Sequence, residues 1–167
     1  LLNVKCKIDM ENILVLNDRY NWDIFFEARH SIPANALEHS KKWDAISIIT
    51  DTIVPPQNFQ TFLDSTHELI KKSDIEYLLF GHLGDCHLHF HLIPTKSQHK
   101  QALEVYHNIV KKSSDLGGVY SAEHGTGKRK KQDFIECYGD LAVAQVKKCK
   151  KAFDPHFLLN SGNVVDK

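Results

Sequence analysis

No stretch of this sequence approaches the ~20 apolar residues that a membrane-spanning helix needs, and no signal-peptide pattern opens it. The membrane is thereby excluded as a solvent, though not as a docking surface, and the expected location is the cytoplasm. Charge of one sign is also missing: Lys plus Arg number 21 and Asp plus Glu number 21, for a formal net charge of zero. Such a chain exerts no general electrostatic pull on nucleic acid or anionic lipid. Cysteine is scarce and scattered, at Cys6, Cys86, Cys137 and Cys149, with no C-x-x-C pair. That spacing argues against a disulfide framework or a cysteine-built zinc site and for reduced thiols. Methionine is nearly absent, with Met10 alone, and residue 1 is Leu. The expectation is a processed or excised piece of a longer chain.

What is present suits one globular domain with room for a small appended subdomain: 167 residues, 42% hydrophobic and 25% charged. An apolar run from Ile13 to Leu16 reads as an edge strand, and Trp22 to Arg29 as a helix that Pro33 interrupts or restarts. AISIIT at 45–50 is β-branched and strand-like. Pro55-Pro56 leads into a helix carrying Phe59, Phe62, Leu63, Leu69 and Ile70. IEYLLF at 75–80 and the alternating segment His87 to Ile93 are two further strands, with glycines Gly81 and Gly84 between them. Leu103, Tyr106 and Val110 mark another helix ended by Gly117-Gly118, and a short strand is expected at Val119-Tyr120. This βαββαβ order predicts an α+β fold: a ferredoxin-like antiparallel sheet with helices on one face. A C-terminal helix with Ala142, Val146, Cys149 and Phe153 on one stripe, stopped by Asp154-Pro155, completes it.

Histidine is abundant, with eleven, and its clustering carries the chemistry. Alternate strand residues share a face, so His87, His89 and His91 project together while Leu88, Phe90 and Leu92 face a core. If Gly84 reverses the chain, His82 and His89 converge across the hairpin, and neutral imidazole is a favoured ligand for zinc and similar ions. A half-exposed strand face rich in histidine is the competing reading. Ser121-Ala122-Glu123-His124-Gly125-Thr126-Gly127 places a carboxylate beside an imidazole in a glycine-rich loop. Glu123 can complete a His, His, Glu set with one open position, leaving His124 as a general base. The run Lys128-Arg129-Lys130-Lys131 reads as a solvated helix start, and Lys147, Lys148, Lys150 and Lys151 as the wet face of the last helix.

GHLGDCHLH at 81–89, SAEHGTGKRK at 121–130 and KKAFDPHFLLNSGNV at 150–164 stand in the order and spacing of one family. They resemble the C-terminal domain of the FAD-linked 2-hydroxyacid oxidases and dehydrogenases, a group that includes D-lactate dehydrogenase, the glycolate oxidase D subunit and D-2-hydroxyglutarate dehydrogenase. The family patterns are approximately GHxGDGNLH, SxEHGxGxxK and FDPxxxLNPGK. DTIVPPQNF at 51–59 is similar to the family's D-x-x-V-P segment before a helix.

The resemblance implies a flavoprotein that oxidises a D-2-hydroxy acid to the keto acid and passes electrons to a downstream acceptor. FAD is held by an N-terminal domain, of which these 167 residues contain no glycine-rich segment, and residues 1–167 form the domain that closes over the substrate. This fragment alone is expected to be inactive. By the same resemblance, His82, His89 and Glu123 ligate a divalent metal, usually zinc. His124 is the base, Arg29 and His91 contact substrate, and Asn160 lies near the cofactor. The sequence departs from the pattern where Cys86-His87 replaces Gly-Asn, where His91 replaces a frequent Asn, and where Ser161 and Asn163 replace Pro and Lys. A second reading comes from His87-x-His89-x-His91, which matches the signature of the histidine-triad nucleotide hydrolases over eight residues.

Overall fold

The computed structural model describes residues 15–42 and 46–167, so Ile13 and Leu14 of the proposed edge strand and Ala45 of AISIIT lie outside the described residues. The chain divides into two compact units, Leu1–Asn35 and Ala36–Lys167. In the first, helix α1 begins; it runs Arg19–Lys42 with Pro33 inside it. Pro33 was expected to interrupt or restart the helix. It does neither: a proline removes one backbone donor but leaves the turns on either side free to form.

The second unit is an α+β domain. Its strands are β1 (Ile48–Ile49), β2 (Thr52–Ile53), β3 (Glu76–His82) and β4 (His87–Ile93). Its remaining helices are α2 (Phe59–Ser73), α3 (His99–Asp115) and α4 (Lys131–Phe153). β4 is the central strand. β3 pairs antiparallel along its whole length, from Glu76 opposite Ile93 to His82 opposite His87. That edge is therefore full, and β1 and β2 occupy the other, with Ile48 opposite Leu92 and Ile53 opposite His87 in one unbroken register. Between them the Thr50 hydroxyl accepts the Phe90 N–H at 3.0 Å, while the Thr50 N–H donates to the Phe90 carbonyl at 3.0 Å. The ladder is interrupted; the alignment is not.

The expected fourth strand at 119–120 is the main correction. It survives only as two isolated bridges of opposite sense, Ile53 with Val119 (antiparallel) and Asp51 with Ser121 (parallel), so the ferredoxin-like ladder is not completed. The cause is local. The Asp51 carboxylate draws the Ser121 hydroxyl and the His124 N–H to itself, and the chain wraps around that carboxylate instead of running on beside β2. Gly118 permits the close approach, since a Cβ there would lie 2.2 Å from the Ile53 carbonyl oxygen.

Leu88, Phe90 and Leu92 of β4 join Phe62 and Ile70 of α2 and Val105, Ile109 and Val110 of α3 in one buried core, as their periodicity predicts. Burial of such side chains contributes about 1.5–3 kcal/mol each. α4 starts on this core through Phe134 and Cys137, and buried Asp133 accepts a hydrogen bond from the Tyr106 hydroxyl at 2.6 Å. Burial and that carboxylate push the Tyr106 hydroxyl far above its usual range. The helix then breaks at Gly139 (φ 75°, ψ 174°). Beyond the break the proposed apolar stripe is not buried: Cys149 is exposed and Phe153 is 90% exposed.

Candidate metal and proton-transfer site

The seven residues of β4 are buried on both faces, so the half-exposed histidine face does not occur: His87, His89 and His91 are each at most 5% exposed. The reversal before β4 is made by a single 3-10 turn at Leu83–Asp85 and by Cys86, which takes the left-handed conformation at φ 56°. Gly84, expected to be the hinge, keeps an ordinary conformation, and Cys86 carries a backbone penalty of about 1–2 kcal/mol. The turn places His82 opposite His87, their rings stacked at 5.6 Å.

The loop after Tyr120 brings Glu123 and His124 to this surface. Glu123 Oε1 lies 3.0 Å from His89 Nε2, and Oε2 lies 3.9 Å from His82 Nε2. His124 stacks on His89 at 5.0 Å with an interplanar angle of 6°. Its Nε2 is 3.5 Å from Glu123 Oε1 and its Nδ1 is 3.8 Å from Asp51 Oδ1. His82, His87 and Glu123, with Ile53, Pro56 and Asp85, line an open cleft of about 590 Å³.

The hydrogen bonding of His89 defines what this cluster can hold. Its Nδ1 faces the Thr50 carbonyl at 3.0 Å, and a carbonyl only accepts, so Nδ1 carries the proton. With that nitrogen committed, Nε2 is the one that meets a Glu123 carboxylate oxygen, 3.0 Å away. A cation between the two would take a lone pair from each. Donors on a tetrahedral ion with ~2.0–2.1 Å bonds stand about 3.3 Å apart, and the 3.0 Å and 3.9 Å contacts bracket that spacing. The donor set of two imidazoles and a carboxylate fits a zinc-like ion.

Two residues that local pattern does not single out organise the site. Asp51 is fully buried, and its carboxylate accepts from the Ser121 hydroxyl (2.6 Å), the His124 N–H (2.9 Å), Lys130 Nζ (3.0 Å) and His87 Nε2 (3.1 Å). Burial works against its charge, but the hydrogen bonds from Ser121, His124 and Lys130, with the Lys130 charge, outweigh it and hold the carboxyl well below its usual range. Lys130 corrects the reading of 128–131 as a solvated run: its side chain is 15% exposed and ion-paired to Asp51, and Lys131 pairs with Asp166 at 2.6 Å. The signal for Asp51 was present only as the first residue of DTIVP.

Three further residues, His91, Arg29 and Asn160, were expected at the site. His91 is 3% exposed, neither ring nitrogen has a hydrogen-bond partner among the described residues, and burial pushes its pKa down. Arg29 lies in the first unit, on the exposed surface of α1. Asn160 is exposed in the C-terminal turn at φ 45°, outside the ligand cluster. That tail is tied to the 121–127 loop by the Val164 N–H, which donates to the Gly127 carbonyl at 2.9 Å.

Comparison with known proteins covers nearly the whole chain. Residues 7–164 match the family model described as FAD linked oxidases, C-terminal domain. The chain is 34% identical over 141 residues to the D-lactate dehydrogenase (cytochrome), mitochondrial, of Kluyveromyces lactis, covering 83% of this chain and 24% of that protein. It is 31% identical over 119 residues to the D-lactate dehydrogenase of Archaeoglobus fulgidus, covering 71% of this chain and 27% of that one. It is 29% identical over 144 residues to glycolate oxidase subunit GlcD of Bacillus subtilis, covering 84% and 30% respectively. The chain thus spans about a quarter of the length of the curated relatives it matches.

Proposed function

We propose, from the premise that this chain belongs to the family of FAD-linked oxidase C-terminal domains, that it is the substrate-side domain of a flavoprotein oxidising a D-2-hydroxy acid to the 2-keto acid. FAD is held by parts of the protein outside this chain, and the electrons pass on to a further acceptor. His82, His89 and Glu123 hold a divalent metal, zinc by the chemistry of the donors. When bound, such an ion would supply Lewis-acid polarisation of the substrate's α-hydroxyl, and FAD would supply the hydride acceptor.

The chain's own residues manage the proton. His124 accepts it from the α-hydroxyl at Nε2, because its Nδ1 lies toward the Asp51 carboxylate 3.8 Å away. Asp51 remains ionised and stabilises the imidazolium so formed. The same carboxylate accepts the His124 backbone N–H at 2.9 Å, so the base cannot drift from its counter-charge. The buried ring of His91 carries a donor and an acceptor that none of the described residues uses, and we assign them to the substrate. Asn160 lies near the cofactor.

The observation that carries this reading is the facing pair of His89 Nε2 and Glu123 Oε1 at 3.0 Å. The full-length protein tests it. One equivalent of zinc per chain, flavin reduction by a D-2-hydroxy acid such as D-lactate, and loss of both in His82→Ala are expected. A protein that holds FAD yet is reduced by no 2-hydroxy acid overturns it.

The histidine-triad alternative is not supported. Its signature covers eight residues against the 158 of 7–164 matched by the oxidase family, and the three histidines it needs are buried, with Nε2 of His89 facing a carboxylate.

A further inference from the structure

His87 stands where the family pattern has asparagine, and its surroundings are those of a metal ligand. It is buried beside both ligating imidazoles, its ring stacked on His82 at 5.6 Å and edge-on to His89 at 4.6 Å. One ligand atom from each of His82, His87, His89 and Glu123 falls in a group whose members all lie within 4.8 Å of one another. We propose that His87 is a fourth protein ligand, so that this chain surrounds its cation with three imidazoles and one carboxylate. The inference rests on the reading of His82, His89 and Glu123 as ligands and adds to it.

The buried carboxylate behind His87 supports this assignment. The His87 Nε2–H donates to the Asp51 carboxylate at 3.1 Å, which leaves Nδ1 as the nitrogen through which this ring can ligate a metal. Among the described residues Nδ1 meets no hydrogen-bonding group. An imidazole that ligates with one nitrogen and gives the other N–H to a carboxylate is the usual arrangement around protein-bound zinc. Asparagine has no lone-pair nitrogen, so the substitution at 87 adds a donor of the kind the other ligands supply.

The consequence concerns coordination number. Three protein ligands leave a tetrahedral ion one open position, whereas four close it. The ion is then retained more firmly in the resting protein, and a substrate hydroxyl joins as a fifth donor, an expansion that zinc accepts.

Zinc and cobalt(II) titrations of the 167-residue chain, its His87→Asn variant and its Glu123→Gln variant test the proposal. His87→Asn is expected to weaken zinc binding at least about tenfold, since loss of even an outer partner of a ligand costs about 10–100-fold. It is also expected to dim the visible bands of the cobalt form, which are strongest in four-coordinate sites. In the unaltered chain, zinc should shift the ring ¹⁵N resonances of His87 together with those of His82 and His89. If His87→Asn binds zinc as tightly as the unaltered chain while Glu123→Gln does not, the fourth ligand is refuted and the three-ligand site stands. Should that variant fail to fold, a His87 resonance unmoved by zinc while His89 moves refutes it equally. An unaltered chain that binds neither ion overturns both this inference and the metal in the proposed function.

Discussion

Nε2 of His89 and Oε1 of Glu123 face each other at 3.0 Å with the other nitrogen of His89 committed to the Thr50 carbonyl. If the pair is held for a cation, as we propose, its two lone pairs oppose one another when the cation is absent. Glu123→Gln replaces one acceptor by an amide that can donate. The variant should lose zinc binding yet keep, or raise by up to about 1 kcal/mol, the stability of the metal-free chain. Zinc titration alongside metal-free thermal melts reads both. A metal-free variant clearly less stable than the parent would show that the pair is not opposed.

Asp51 joins β2, the 121–127 loop and the start of α4, and its loss leaves the part-buried Lys130 ammonium with the Ser121 hydroxyl alone. Asp51→Asn should cost about 3 kcal/mol at pH 7. Its carboxyl titrates lower in the folded protein than in the unfolded chain. The stability it contributes is therefore complete above about pH 5 and disappears as the pH falls toward the folded value. Urea midpoints from pH 7 to pH 2 should show the difference between parent and variant narrowing below pH 5. A constant difference would mean that the carboxylate charge is not the source.

His91 places two unsatisfied ring nitrogens in the interior. Leucine is close in size and needs no hydrogen bonds, so His91→Leu should raise the stability of the metal-free chain by about 1 kcal/mol. The same change should raise KM for the hydroxy acid in the full-length protein. A stabilised variant with unchanged KM would remove His91 from the substrate pocket.

For proton transfer, His124→Ala in the full-length protein should slow flavin reduction by about 100- to 10,000-fold, the usual range for a positioned base. FAD content and zinc stoichiometry should be unchanged. Stopped-flow absorbance of the flavin gives the rate, and an unaltered rate would exclude His124 as the base.

Gly118 lies against the Ile53 carbonyl so closely that any side chain must displace backbone. Gly118→Ala should destabilise the chain by more than about 2 kcal/mol, within the range of overpacked interiors. A thermal midpoint within a degree or two of the parent would show that the Ile53–Val119 bridge is dispensable.

The parts of this architecture that local periodicity encodes were legible from residues alone. His alternating with Leu and Phe over 87–93 gave β4 and both its faces, and the spacing of Phe62 and Ile70 gave the buried side of α2. The meeting of Glu123 with His82 and His89 has no local signal, because it depends on a loop crossing a strand more than thirty residues earlier. Motif order in a resembling family anticipated it. Asp51 was not anticipated at all: one acid among β-branched neighbours looks like a turn residue until its three donors arrive from residues 121–130. Lys130 was misread for the reciprocal reason, since a run of cations looks wet when its buried partner is out of view. The stripe from Ala142 to Phe153 shows the limit of periodicity, which identifies an apolar face without saying whether this domain covers it.

Because β1 and β2 keep one alignment against β4 through the irregular step at Thr50 and Asp51, this stretch is sensitive to length in a way that its brevity conceals. Adding or deleting a single residue between Ile49 and Thr52 would invert the facing of everything beyond it. The acid would turn toward the oily side of the sheet, and its four donors would be stranded. A side-chain exchange in this segment alters one set of contacts, whereas a change in chain length displaces them all.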